Sequence, residues 1–267
     1  MHSLKLIYFK MRALAEAPQM LMKFADLNYE YLMSWDYFDD DWEMVKHTIP
    51  FQQLPILVVD DEHQIAQSTT IMRFLQRLAG MEPQDPVVAA KADAILESAQ
   101  ELFRPLNPIV NFAVGEDFES KKESMLPELS SRFADLERAL LNGGEQFFMG
   151  EKPIACDFTV YHHLDISRNL DSDFLGQFSR LSEFVRDVER IESVSDYLNS
   201  RPELIDVKVA PKLVINGKAH PTGINKTINK MKLIYFNAGS FSQVQIKEKR
   251  ETHRIIHTSS IKKGCHD

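Results

Sequence analysis

Between Gly80 and Pro86 the chain loses apolar periodicity and fills with Gly, Pro, Gln and Asp, and the sequence on either side follows different rules. Upstream, Lys5-Leu6-Ile7-Tyr8-Phe9 reads as a short buried strand and Ala13 to Ala25 as a helix that tolerates Pro18 only near its first turn. Tyr29 to Leu32 gives a second strand, and a short helical patch passes through Trp42 and Lys46. Leu54 to Val59 gives a third strand, Asp60-Asp61 turns it back into a fourth around Gln64-Ile65, and Gln67-Ser68 opens a helix to about Leu78. Downstream, helical recurrence runs over 87–113, 120–141, 155–170 and 181–198 with almost no strand signal. The expected organisation is a small α/β domain over 1–79, a linker over 80–86 and an all-helical domain over 87–203. A helical bundle by itself names no function.

Charge and cysteine usage narrow the function classes. Residues 204–267 carry 12 Lys and Arg against 4 Asp and Glu, so the net charge of −8 hides a basic tail on a strongly acidic body. An acidic body repels phosphate backbones, so no nucleic-acid partner is expected. No apolar run is long enough to cross a membrane, and the N-terminus lacks a long apolar leader segment, so a soluble chain without membrane insertion is expected. Cys156 and Cys265 are far apart and outside any CxxC spacing. Neither a disulfide framework nor a cysteine-ligated metal is supported, and a reducing, cytoplasmic location and no metal are expected. Cys156 reads as a small buried hydrophobe on the 155–170 helix.

Two local features carry chemistry. Pro55 at the start of a buried strand has no N–H to donate to the ladder, which fits either a plain strand start or a cis peptide that frees the Leu54 backbone. Gln67-Ser68, where a strand turns into a helix, presents a hydroxyl, backbone N–H groups and the positive end of the helix dipole, a corner that suits a carboxylate. An ordinary Ser N-cap has the same sequence.

Taken in order, Tyr8-Phe9, Arg12, Ala15-Glu16, Trp42, Lys46, Leu54-Pro55 and Gln67-Ser68 resemble the cytosolic glutathione transferases over about residues 4–203. The tyrosine region is most similar to the sigma class, which includes glutathione-dependent prostaglandin D synthases and lens crystallins. The resemblance implies a thioredoxin-like domain packed on an all-α domain, a homodimer, and glutathione as co-substrate. It further implies that Pro55 is cis and that Tyr8 donates to the glutathione sulfur. Trp42 and Lys46 would hold the glycine carboxylate, Leu54 would pair its backbone with the cysteinyl unit, and Gln67 with Ser68 would hold the γ-glutamyl carboxylate. Gln53 falls where the family has Lys or Gln, and Glu97 where a partner subunit's acid meets the γ-glutamyl amine. Met11, Leu14, Phe103, Leu106 and Asn107 would wall an apolar electrophile pocket. A free thiol with a pKa near 8.5 is only about 3% thiolate at pH 7, and a donor hydrogen bond to the charged form raises that fraction. The implied reaction is addition or substitution by glutathione on small apolar electrophiles, with prostanoid isomerisation a narrower version. A non-enzymatic ligand-binding or crystallin-like role is the rival.

The chain departs from this pattern in three places. Leu14 stands where the sigma motif Arg-Gly-Arg-Ala-Glu has its second arginine, which removes a cation near the thiolate. Ile154 stands where the family has a Ser or Thr N-cap before Asp157, a loss of about 1 kcal/mol. Met231 to Phe236 nearly repeats Leu4 to Phe9, and the expectation for 204–267 is the truncated start of a tandem copy, with chance similarity as the alternative.

Overall fold

A computed structural model describes residues 2–201, apart from 10, 41, 114, 144 and 145, together with the backbone of 213–215 and 218–220. The repeat at 231–236 lies outside the described residues. The short hairpin Leu213–Ile215 with Lys218–His220 is what is described of the tail.

The first half builds β1 (Leu4–Tyr8), α1 (Glu16–Phe24), β2 (Glu30–Met33), the short helices α2 (Ser34–Phe38) and α3 (Trp42–Val45), β3 (Ile56–Val59), β4 (His63–Ala66) and α4 (Ser68–Leu78). The sheet runs β2-β1-β3-β4, with β2 parallel to β1 and both other pairings antiparallel. This is the thioredoxin-like arrangement. The Ile-Leu-Val-Val run of β3 is buried at every position, because a strand inside a sheet that is covered on both faces has no polar side to alternate with. At Asp60 and Asp61 φ is +56° and +59°, and Glu62 N–H donates to the Val59 carbonyl at 3.1 Å. That geometry is a type I′ hairpin turn, for which Asp is among the better-suited residues.

The helix expected from Ala13 begins later. Ala13 has φ +32°, residues Ala13–Ala15 form a 3-10 turn, and α1 starts at Glu16. Pro18 therefore sits in the first turn, where its missing N–H removes no helical bond.

The second half is helical: α5 (Pro86–Phe112), α6 (Gly115–Gly143), α7 (Ala155–Leu170), α8 (Ser179–Glu189) and α9 (Glu192–Ser200). Asp85 caps α5, its carboxylate accepting from the N–H groups of Val87 at 2.7 Å and Val88 at 3.1 Å, with Pro86 at the first helical position. Pro105 and Pro108 lie inside α5 and remove the donors that would reach the carbonyls of Glu101 and Arg104.

The single helix expected over 181–198 is two, broken at Ile191. The break lays α9 against α1, where buried Glu16 receives a hydrogen bond from the Tyr197 hydroxyl at 3.1 Å and one from Arg201 Nη1 at 2.7 Å. Burial raises the Glu16 pKa, and Arg201 opposes that rise.

A second polar contact joins the halves. Ile154 has no acceptor to cap α7, but the Asp157 carboxylate accepts from the N–H groups of Ile154 at 2.8 Å and Phe148 at 3.0 Å. The side-chain oxygen of buried Gln76, on α4, accepts from the Ala155 N–H at 2.9 Å. The first orphan donor of α7, the Ala155 N–H, is thus met by a residue of the other domain, while Asp157 ties down the Ile154 and Phe148 N–H groups just before the helix.

Candidate active site

The site forms where the sheet's loop ends meet α5. The Leu54-Pro55 peptide is cis, and the ladder begins at Ile56, so Leu54 stays outside it. Gln67, the residue before α4, has φ +69° and ψ 121°, a conformation that costs a residue with a Cβ about 1–3 kcal/mol. Its side-chain amide donates to the Gln53 side-chain oxygen at 3.3 Å, tying two loops together. Ser68 begins α4 and is 9% exposed.

These residues share one cleft of about 310 Å³, at the lower end of the roughly 300–1,000 Å³ of small-molecule sites. Gln53, Leu54, Pro55, Gln67 and Ser68 line one side, Leu14 closes an end, and Gln100, Phe103, Arg104 and Asn107 of α5 form the opposite wall. Tyr8 ends β1 and is 5% exposed. Burial pushes its phenol above the ordinary value, and a backbone hydrogen bond with Leu14 opposes the shift. It keeps its proton at neutral pH and stays a donor. Its ring touches Phe9 with centroids 5.6 Å apart, and Phe9 meets the edge of Trp42 at 5.3 Å, which brings α3 to the end of β1.

Other expected positions are placed differently. Met11 and Leu106 are buried in the core, outside the cleft wall. Trp42 and Lys46 also lie outside that wall, and Lys46 is paired with Glu43 at 2.5 Å. Glu97 is held by Arg73 of its own chain at 2.6 Å, beside the Arg73–Asp93 pair at 2.8 Å. The lining is more polar than an apolar pocket, since six of its ten residues carry amide, hydroxyl or guanidinium groups. Gln100 and Arg104 were not anticipated. Their spacing with Phe103 and Asn107, one helical face of α5, is the signal that would have found them.

Behind Leu14, where α1, α4, α5 and α7 meet, lies a void of about 10 Å³ bordered by His162 and His163. Both histidines are almost fully buried, and among the described residues none of their ring nitrogens has a partner in good hydrogen-bond geometry. The Ala13 backbone favours the charged form of His162, but burial dominates and pulls its pKa down to about 3, with Arg201 and Arg12 adding to the fall. His163 is held well below its ordinary value by burial and by His162, and its ring stacks on Phe103 at 5.3 Å.

Comparison with known proteins agrees with this architecture. The family model for the Glutathione S-transferase N-terminal domain matches residues 4–77, and that for the Glutathione S-transferase C-terminal domain matches 105–201. Glutathione S-transferase Mu 2 of Mus musculus is 30% identical over 200 residues, covering 72% of this chain and 89% of the relative. The chain belongs to the glutathione S-transferase family.

Glutathione S-transferase 1 of Ascaris suum is 27% identical over 203 residues, covering 74% of this chain and 97% of that one. The structure of rat hPGDS complexed with a quinoline shares the fold, with a TM-score of 0.66 at 24% identity over 75% of this chain and 98% of that one. The named relatives are glutathione S-transferases, enzymes whose substrate is glutathione. Among the described residues no helix is long and apolar enough to cross a membrane, and no group of three or more His, Cys, Asp or Glu is placed to hold a metal.

Proposed function

We propose that this transferase binds glutathione along the Gln53, Leu54, Pro55, Gln67 and Ser68 side of the cleft and activates its thiol with the Tyr8 hydroxyl. The observation that carries the reading is the convergence of those five residues on one cleft with Leu14, whose backbone hydrogen-bonds to Tyr8; Tyr8 itself lies buried just outside the lining. The γ-glutamyl carboxylate meets the Ser68 hydroxyl and the N-terminus of α4, where N–H groups and dipole favour an anion. The cysteinyl unit pairs with the Leu54 backbone, which places its sulfur toward Tyr8. Trp42 and Lys46 receive the glycine carboxylate, and the enzyme works as a cytoplasmic homodimer in which Glu97 reaches the neighbouring subunit's glutathione. The sigma-like Tyr8 motif supports a tyrosine mechanism. Leu14 in place of an arginine means that the thiolate relies on the phenol.

The catalytic step follows from proton bookkeeping. The phenol, kept neutral by burial, donates to the sulfur and stabilises the thiolate, which attacks the electrophile. A hydrogen bond to a charged group contributes about 1.5–3 kcal/mol, so Tyr8→Phe should lower kcat/KM roughly 10- to 100-fold. The assay is conjugation of a chlorodinitrobenzene substrate, with the thiol pKa of bound glutathione read from thiolate absorbance. An unchanged thiol pKa in Tyr8→Phe refutes the assignment.

A further inference from the structure

We infer that Arg104 selects electrophiles that carry a carboxylate, an inference that rests on the reading of the cleft as the conjugation site. Among the described residues Arg104 is the one charged side chain on the cleft wall, and it stands between Gln100 and Asn107 on the face of α5 opposite the glutathione side. It is exposed, and it has no hydrogen bond or ion pair with another described residue. The absence of a partner is not for want of acids. Glu101, three residues before it on α5 and so within reach on a helix, turns instead to Arg132 of α6 at 3.3 Å, and Glu97 turns to Arg73 of α4 at 2.6 Å. The acids of this stretch are neutralised by neighbouring helices, while the guanidinium faces the cleft uncompensated.

Leu14 lines the same cleft without a charge, so among the described residues the positive charge of the lining is that of Arg104 on α5. A planar guanidinium flanked by two side-chain amides suits a carboxylate, which accepts two parallel N–H bonds. Phe103 packs the substrate's apolar body, and the reactive carbon is presented toward Tyr8. With an unsaturated ketone bearing a carboxylate, the sulfur lone pair forms the C–S bond and the alkene π pair moves to the carbonyl oxygen as enolate. A proton from water then returns to the α-carbon. The carboxylate keeps its bonds and its charge throughout, serving only as a handle.

The test compares ethacrynic acid with its methyl ester, the same unsaturated ketone with and without the charge. Wild-type enzyme should prefer the acid in kcat/KM by about 2- to 5-fold, the upper range of an exposed ion pair. Arg104→Gln should lose that preference by raising KM for the acid, leaving the ester and the KM for glutathione within about twofold, and Arg104→Lys should keep part of it. Equal loss with acid and ester, or a rise in the KM for glutathione instead, overturns the inference. Binding of the two pre-formed glutathione conjugates by calorimetry separates this from the conjugation reading, because it needs no turnover. Tighter binding of the acid conjugate that Arg104→Gln abolishes and Tyr8→Phe spares supports the inference even if turnover fails. Equal binding of both conjugates refutes it even if turnover succeeds.

Discussion

The buried pair His162 and His163 should make this enzyme lose stability steeply just below neutral pH. In the unfolded chain each imidazole titrates near 6.5, whereas in the folded chain His162 is held down to about 3 and His163 well below its ordinary value, chiefly by burial. A void of about 10 Å³ leaves room for no more than about one water, so an imidazolium there has almost no solvent to replace what it loses. Between the unfolded and folded pKa values the unfolded chain binds more protons, and stability falls as pH falls. Each histidine then costs about 1.4 kcal/mol per pH unit, so at pH 5.5 the pair should cost about 2.7 kcal/mol relative to pH 7.5. That is a large share of a typical net stability of about 5–15 kcal/mol. Asp157 acts in the opposite sense: burial pushes its folded pKa up to about 6, so acidification through that range stabilises the fold. Glu16, also raised, adds to that opposing effect. The comparison that isolates the histidines is therefore urea unfolding of wild type and of His162→Gln/His163→Gln at pH 7.5 and 5.5. The carboxylate contributions cancel in the difference, and the double variant should lose about 2.7 kcal/mol less on acidification. His163→Gln alone should recover about half of that if the double variant folds poorly. Identical pH dependence in wild type and variants would refute the reasoning.

Two other perturbations test the frame around the cleft. Gln76→Ala removes the cross-domain acceptor of the Ala155 N–H and should cost about 1–3 kcal/mol in urea unfolding, with kcat for a neutral electrophile unchanged; no change in stability would mean that α7 needs no such cap. Gln67→Gly relieves the positive φ, so thermal stability should stay at or above wild type while the KM for glutathione rises about 10-fold through loss of the side chain. A fall in Tm of several degrees would show that the backbone there is unstrained.

Local pattern carried much of this protein. The alternation of strand and helix before Gly80 and the helical recurrence after it are written in residue periodicity, which acts over a few neighbours, while Asp85 and Pro86, read as the end of the linker, proved to cap and open α5. Pro55 and Gln67-Ser68 stand out locally at a strand start and a helix start, Gln53 and the role of Leu54 came from the family resemblance, and the fold brings all five to one cleft. Leu14 and Phe103 were also placed on the cleft, while Met11 and Leu106 went to the core, because apolar residues one helical or loop step apart look alike in sequence and only packing assigns their faces.

Tertiary structure decided what depended on partners far along the chain. The helix expected over 181–198 breaks at Ile191 because Tyr197 and Arg201 must meet Glu16, some 180 residues away in sequence. The first N–H of α7, that of Ala155, is met by Gln76, 79 residues away in sequence. The charge at the cleft is set by which acids the neighbouring helices claim: Glu97 pairs with Arg73 and Glu101 with Arg132, while Arg104 lines the cleft. A sequence specifies which groups are present and, through local periodicity, which element each belongs to. Which buried donors and charges neutralise one another depends on distances between elements, and those exist only once the chain has folded.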